Sequence, residues 1–106
     1  YMPRAYFINP ENASIEEVDL SNELETIKTL IGQESIDSDE VGREGDRLFF
    51  DEACFIRAKP DAKRFKLDTL PPVAGSGVFV GSAGDSNTLR DPSVSLEALR
   101  ARVVFS

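Results

Sequence analysis

Carboxylates in the stretch SIDSDE, residues 35–40, have a spacing that suits chemistry. If this stretch is a strand, Asp37 and Asp39 lie on one face because side chains alternate, and Glu40 lies beside them. Such a pair can hold Ca²⁺ or Mg²⁺, but the pattern of a calcium-binding loop is missing, and runs of charge are usually solvated. We therefore predict an acidic, partner-binding face without metal or cofactor. Its candidate residues are Glu34, Asp37, Asp39, Glu40, Glu44 and Asp46.

The stretch PPVAGSGVFVGSAG, residues 71–84, contains four of the seven glycines. A phosphate-binding loop aims backbone N–H groups from a turn into the start of a helix. Here the residues after Gly77 read VFV, which favours a strand, and no Gly-Lys-Ser/Thr signature follows. The pattern predicts that the glycines bend a strand or allow a close backbone crossing.

An alternative site remains open at the end of that strand, where loops with small polar residues often bind ligands. Basic side chains of residues 57–66 form a second cluster, with Arg57, Lys59, Lys63, Arg64 and Lys66. Together these segments are compatible with a small, nucleotide-like ligand. The candidate residues are Ser76, Ser82, Asp85, Asn87, Lys63, Arg64 and Lys66.

The residue inventory excludes several catalytic mechanisms. Histidine is absent and Cys54 is the single cysteine, so Ser-His-Asp, Cys-His and zinc hydrolase sites are ruled out. Cys54 stands next to Phe55 and Ile56, which predicts a small buried hydrophobe rather than a reactive thiol. We expect a protein that is not an enzyme.

The charge is unevenly distributed along the chain. The net charge is −7, and residues 11–52 carry fourteen acidic against three basic side chains. This balance argues against direct nucleic-acid binding, which relies on clustered Lys and Arg. An acidic face instead suits a partner protein with a basic surface.

These candidate residues must be positioned by an α+β domain. RAYFIN and SIEEVDL predict a hairpin, and the spacing of Leu24, Ile27 and Ile31 before Gly32 predicts a helix at about residues 22–31. A short helix is expected at about residues 95–102, with Ser95 as its N-cap and VVF as a closing strand. Further strands are predicted at ESIDSDEV, RLFF, ACFIRA, RFKLD and VFV.

The whole forms a mainly antiparallel sheet of about five or six strands, packed against these two helices. The length of 106 residues predicts a single domain over residues 1–106. No apolar run is long enough to cross a bilayer. We expect no membrane association, and exposed strand edges that pair in a homodimer.

An order of features resembles a family of small proteins of unknown function, encoded mostly by bacteriophages, prophages and plasmids. The features are AYFINP, LETIKTLIG, LFFDE, PVAGSGVFVG and the tail LEALRARVVF, and the resemblance covers nearly the whole chain. No catalytic residues are assigned in that family.

The resemblance implies a phage or mobile-element accessory protein, located in the cytoplasm of the bacterial host. Such proteins bind and inhibit or modulate a host protein, for example as anti-defence factors of the anti-CRISPR kind. Carboxylates on a rigid face can occupy a basic channel and raise the association rate. A small-ligand binding or sequestering protein is the alternative, and a structural phage protein is the third reading.

Overall fold

The computed structural model describes residues 2–57, 59–82 and 88–106, without the side chain of Arg57. In this part of the chain it forms an α+β fold with two antiparallel sheets. The strands are β1 (Arg4–Asn9), β2 (Ser14–Asp19), β3 (Ile36–Val41), β4 (Asp46–Asp51), β5 (Arg64–Leu67), β6 (Val73–Ala74), β7 (Gly77–Ser82), β8 (Leu89–Arg90) and β9 (Val103–Phe105). The helices are α1 (Glu23–Ile31), α2 (Cys54–Arg57) and α3 (Leu96–Arg100).

The larger sheet has the order β2-β1-β7-β4-β3. β8 pairs with the C-terminal end of β7, on the same side of β7 as β1, which pairs with its first residues. β7 is therefore central, and all six of its residues are buried. Its apolar VFV run belongs to a strand covered on both faces, which explains why the sequence does not alternate there.

One face of the larger sheet packs against the smaller sheet, which has the order β6-β5-β9. Phe65 and Leu67 of β5 meet Phe79 of β7 in this core, and Leu99 of α3 joins them. The alternation of β5 is confirmed, because its core-facing residues are buried while Lys66 is exposed.

The opposite face of the larger sheet is covered by α1. Ile27 is fully buried against Val78 and Val80, with Leu24 at the margin of the same cluster. The predicted apolar stripe is confirmed, and so is Gly32 as the C-terminal cap, with a φ of 82° and its N–H donated to the Lys28 carbonyl.

The prediction of a strand at ACFIRA is wrong, because this segment contains α2. Asp51 Oδ1 accepts the Ala53 N–H at 3.0 Å, and the Ile56 N–H donates to the Ala53 carbonyl at 3.0 Å. These local hydrogen bonds start a helical turn. The side chains of Phe55 and Ile56 are 58% and 88% exposed, so these two apolar residues belong neither to a strand nor to the core.

The predicted C-terminal helix is confirmed, although it is shorter than expected. Ser95 caps α3, since its Oγ accepts the Ala98 N–H at 3.1 Å. VVF follows as β9 and pairs with β5. None of the helices in the described ranges is long and apolar enough to cross a membrane.

Candidate functional site

The β3–β4 hairpin positions the predicted acidic face. β3 pairs with β4 alone within the described residues and forms one outer edge of the larger sheet. Asp37 lies opposite Phe50 and Asp39 opposite Leu48, so both carboxylates occupy one face as predicted. Glu40 lies on the other face.

Five of the six predicted acidic residues are exposed along this edge. Two are on the loops that flank β3: Glu34 precedes the strand and Glu44 lies in its hairpin turn. We define the acidic surface as these exposed residues: Glu34, Asp37, Asp39, Glu40 and Glu44.

Asp46 does not belong to the acidic surface, and its prediction as a partner-binding residue is wrong. Its exposure is 3%, and its carboxylate accepts hydrogen bonds from the Ser93 N–H, at 2.9 Å, and from the Ser93 hydroxyl. The side chain points into the face that the smaller sheet covers, on the same side of β4 as Leu48. Asp46 therefore fastens β4 to the segment before α3.

A groove borders the acidic surface between α1 and the β3–β4 hairpin, with a volume of about 310 Å³. Leu24, Ile36 and Phe49 provide apolar lining, and Glu52 adds a carboxylate that the sequence analysis missed. Glu52 lies one residue beyond β4 and forms the next pair of the hairpin with Ser35, since its N–H donates to the Ser35 carbonyl at 3.1 Å. Extending the register of the two strands by one pair would have located it.

The structure does not bring together those members of the alternative ligand set that it describes. Ser82 is 1% exposed, and the Arg64 guanidinium donates to the carbonyls of Lys59, Pro60 and Ala62, at 2.9 to 3.2 Å. Burial therefore makes the prediction of Ser82 as a ligand-binding residue wrong, whereas Arg64 is half-buried and stays a prediction. Ser76 is half-buried and Lys66 exposed. Asp85 and Asn87 lie outside the described residues.

Lys63 is the member of that set that lines a cleft. The cleft has a volume of about 300 Å³, and Lys59, Gly75 and Cys54 are also part of its lining. The Gly75 N–H donates to the Lys63 carbonyl at 3.2 Å. Three carboxylates share the cleft, those of Glu11, Asp51 and Asp61, which lowers its attraction for an anion.

Cys54 is buried, as predicted, with an exposure of 2%. Burial raises the pKa of its thiol, so the side chain stays protonated near neutral pH. No group of three or more His, Cys, Asp or Glu side chains in the described ranges has an arrangement that could hold a metal ion.

The glycine-rich segment has a structural explanation. A Cβ on Gly77 would lie 2.5 Å from Cζ of Phe65, and one on Gly81 would overlap the Asp91 carbonyl oxygen. Gly77 therefore leaves space for the Phe65 side chain of the smaller sheet, and Gly81 for the backbone of the segment after β8.

Comparison of the chain with protein-family models, with curated proteins and with solved structures finds no match in any of the three.

Proposed function

We propose that this chain is a non-enzymatic binding protein whose acidic surface docks on a basic surface of a partner protein and inhibits or modulates it. The observation that carries the proposal is the placement of five exposed carboxylates along one edge strand and its flanking loops. β3 is held by six paired positions on β4, so its three carboxylates, those of Asp37, Asp39 and Glu40, have a fixed backbone arrangement. A fixed array of one sign raises the association rate with a surface of the opposite sign.

The phage or mobile-element resemblance suggests where the partner lies. In that setting it is a host protein, and an anti-defence role follows if the covered basic surface normally holds nucleic acid. The negative net charge fits a competitor of nucleic acid rather than a nucleic-acid binder.

Affinity capture from a bacterial host lysate at low and high salt tests this proposal. The triple variant Asp37→Asn, Asp39→Asn, Glu40→Gln removes three charges from the acidic surface. The matched control Glu16→Gln, Asp19→Asn, Glu97→Gln removes three exposed charges elsewhere. We expect a partner that the wild type and the control retain at low salt and that the triple variant loses. Equal retention of the partner by both variants would contradict the proposal that the acidic surface binds it.

The cleft beside Lys63 favours a second candidate function, the binding of a small nucleotide-like ligand. Its volume of about 300 Å³ is at the lower end of ligand pockets, and Lys59 and Lys63 provide cations. A thermal-shift panel of nucleoside mono-, di- and triphosphates tests it, since a ligand that binds only the folded state raises the Tm. A shift that Lys63→Ala abolishes would support this function, and a panel without shifts would reject it.

A further inference from the structure

The groove next to the acidic surface combines an apolar floor with an acidic rim. α1 packs over β7 and β4, so the outermost strand β3 projects beyond the helix. Leu24 of α1 and Ile36 of β3 are half-buried at the resulting step, and Phe49 closes it from below. A floor of this kind favours an apolar chain over a solvated ion alone.

Carboxylates surround this floor on the side of β3. Glu34, Asp37 and Glu52 all line the groove and are exposed. Asp37 has a defined orientation, because its Oδ1 accepts the Ser38 N–H at 2.8 Å. Asp37 lies on the other face of β3 from Ile36, so its charge borders the apolar floor rather than lying above it.

Lys28 is the cation among the described lining residues, and Arg47 lies at the edge of the groove, because its Nε donates to Oγ of the lining residue Ser38 at 3.1 Å. The Nζ of Lys28 lies 3.7 Å from Glu25 Oε1 one helical turn away, so its charge is shared with a carboxylate on α1. Arg47 lies opposite Glu40 in the hairpin register, so each of the two cations has a carboxylate of its own nearby, and the three lining carboxylates leave the groove negative.

We infer that this groove seats one arginine side chain of the basic partner, an inference that rests on the proposed function. An arginine has an apolar stem that fits over Leu24 and Ile36, and a guanidinium that offers donors to several carboxylates at once. Lysine has a similar stem but concentrates its charge at one strongly hydrated point. The volume of about 310 Å³ suits a single long side chain rather than a folded element.

A fluorescein-labelled hexa-arginine peptide is the probe, with hexa-lysine for comparison, and fluorescence anisotropy at low salt gives the Kd. Ser35→Trp fills the groove without changing the net charge, because Ser35 lines the groove and is exposed. We expect Ser35→Trp to weaken hexa-arginine binding about tenfold, which corresponds to about 1.4 kcal/mol. Binding of hexa-arginine more tightly than hexa-lysine is also expected.

Three double variants, each removing two charges, separate the groove from the wider acidic surface. They are Glu34→Gln with Glu52→Gln in the groove, Asp39→Asn with Glu40→Gln outside it, and Glu16→Gln with Asp19→Asn on β2. We expect the groove pair to weaken hexa-arginine binding about tenfold and the β2 pair less than about twofold. A thermal melt of each variant verifies that the fold is intact.

Each outcome decides one of the two claims. If Ser35→Trp and the groove pair both bind hexa-arginine with wild-type affinity, the arginine seat is overturned. If the Asp39 and Glu40 pair loses affinity in the same experiment, the proposed function still stands. Weakening by Ser35→Trp and the groove pair alone supports the seat and restricts the binding surface to it. Equal weakening by all three charge pairs shows attraction by net charge only and overturns both claims.

Discussion

Arg102 connects three parts of the molecule through one guanidinium. Its Nε and Nη2 donate to the Asp68 carboxylate at 3.0 and 2.7 Å, and its Cζ lies 5.7 Å from the centre of the Phe79 ring. The hydrogen bonds from Arg102 hold the pKa of the Asp68 carboxyl below its ordinary value. One side chain thereby fastens the segments after β5 and after α3 to the core of the larger sheet.

This pair predicts a pH-dependent stability. The pKa of Asp68 is lower in the folded state, so its contribution is present near neutral pH and is lost as the pH falls through the folded-state pKa. Asp68→Asn keeps a residue that tolerates the positive φ of 52° and removes the charge. We expect it to lower the free energy of unfolding by about 1 kcal/mol near neutral pH, a value that allows for partial solvent screening.

Urea unfolding of the wild type and Asp68→Asn near neutral pH and at about pH 3 measures this effect. The difference between the two proteins should shrink at the lower pH, because the unfolded state binds a proton at Asp68 more readily than the folded state, whose pKa is lowered. A difference that stays constant with pH would count against the ion pair as its cause.

Gly81 occupies a position where a side chain has no space. A Cβ there would meet the carbonyl oxygens of Asp91 and Arg90, which belong to the backbone and move only with the chain. We expect Gly81→Ala to lower the free energy of unfolding by about 3 kcal/mol. Gly32→Ala is the control, because a Cβ at Gly32 meets nothing within 4 Å. Only the positive φ of 82° disfavours alanine there, and we expect a loss of about 1 kcal/mol in the free energy of unfolding. Chemical denaturation compares the two, and equal losses would refute the steric argument.

At the scale of elements, β4 is fixed at its first residue by a buried polar contact. Asp46 accepts two hydrogen bonds from Ser93, which ties the hairpin to the segment that leads into α3. Breaking this contact removes two hydrogen bonds to a charged group, and such bonds contribute more to stability than neutral ones.

Asp46→Ala should therefore act on stability and not on partner binding. We expect it to lower the free energy of unfolding by about 3 kcal/mol, whereas Asp39→Ala on the exposed face of β3 should change it by less than about 0.5 kcal/mol. Denaturant unfolding of both variants measures the contrast. A small effect of Asp46→Ala would show that the Ser93 contact contributes little.

At the scale of the whole molecule, the sheet edges differ in charge. β2 and β3, the outer strands of the larger sheet, carry exposed carboxylates, including Glu16 and Asp39. β9 is an outer strand of the smaller sheet, and its Val104 is 64% exposed. Two identical acidic edges repel one another when they pair, whereas an apolar edge does not.

The homodimer stays a prediction, and this charge distribution indicates that β9 would form its interface. Val104→Glu should then convert dimer to monomer because it opposes two carboxylates across the twofold axis, while Asp39→Asn should leave the dimer in place. Sedimentation velocity over a range of concentrations measures the species present. A dimer that survives Val104→Glu excludes the β9 interface, and a wild type that is monomeric throughout excludes the homodimer.

The sequence by itself determined the elements whose pattern is local. The stripe of Leu24, Ile27 and Ile31 requires a helix with one apolar face, and Ser95 and Gly32 mark helix ends through hydrogen bonds within a few residues. The alternation in β5 and the unbroken apolar run in β7 also hold in the structure, since burial on one or two faces determines which positions are apolar. For the same reason the exposed carboxylates at Asp37 and Asp39 could be predicted from a strand and its periodicity.

Only the tertiary structure determined which polar side chains are exposed and which are buried in the fold. Asp46 and Ser82 look like surface residues in the sequence, yet each is buried by elements that arrive from distant parts of the chain. The groove between α1 and the β3–β4 hairpin likewise depends on packing between elements that are separate in the sequence. Local propensity depends on neighbours along the chain, whereas burial and cavities depend on contacts across it, and these exist only once the two sheets and α1 have packed.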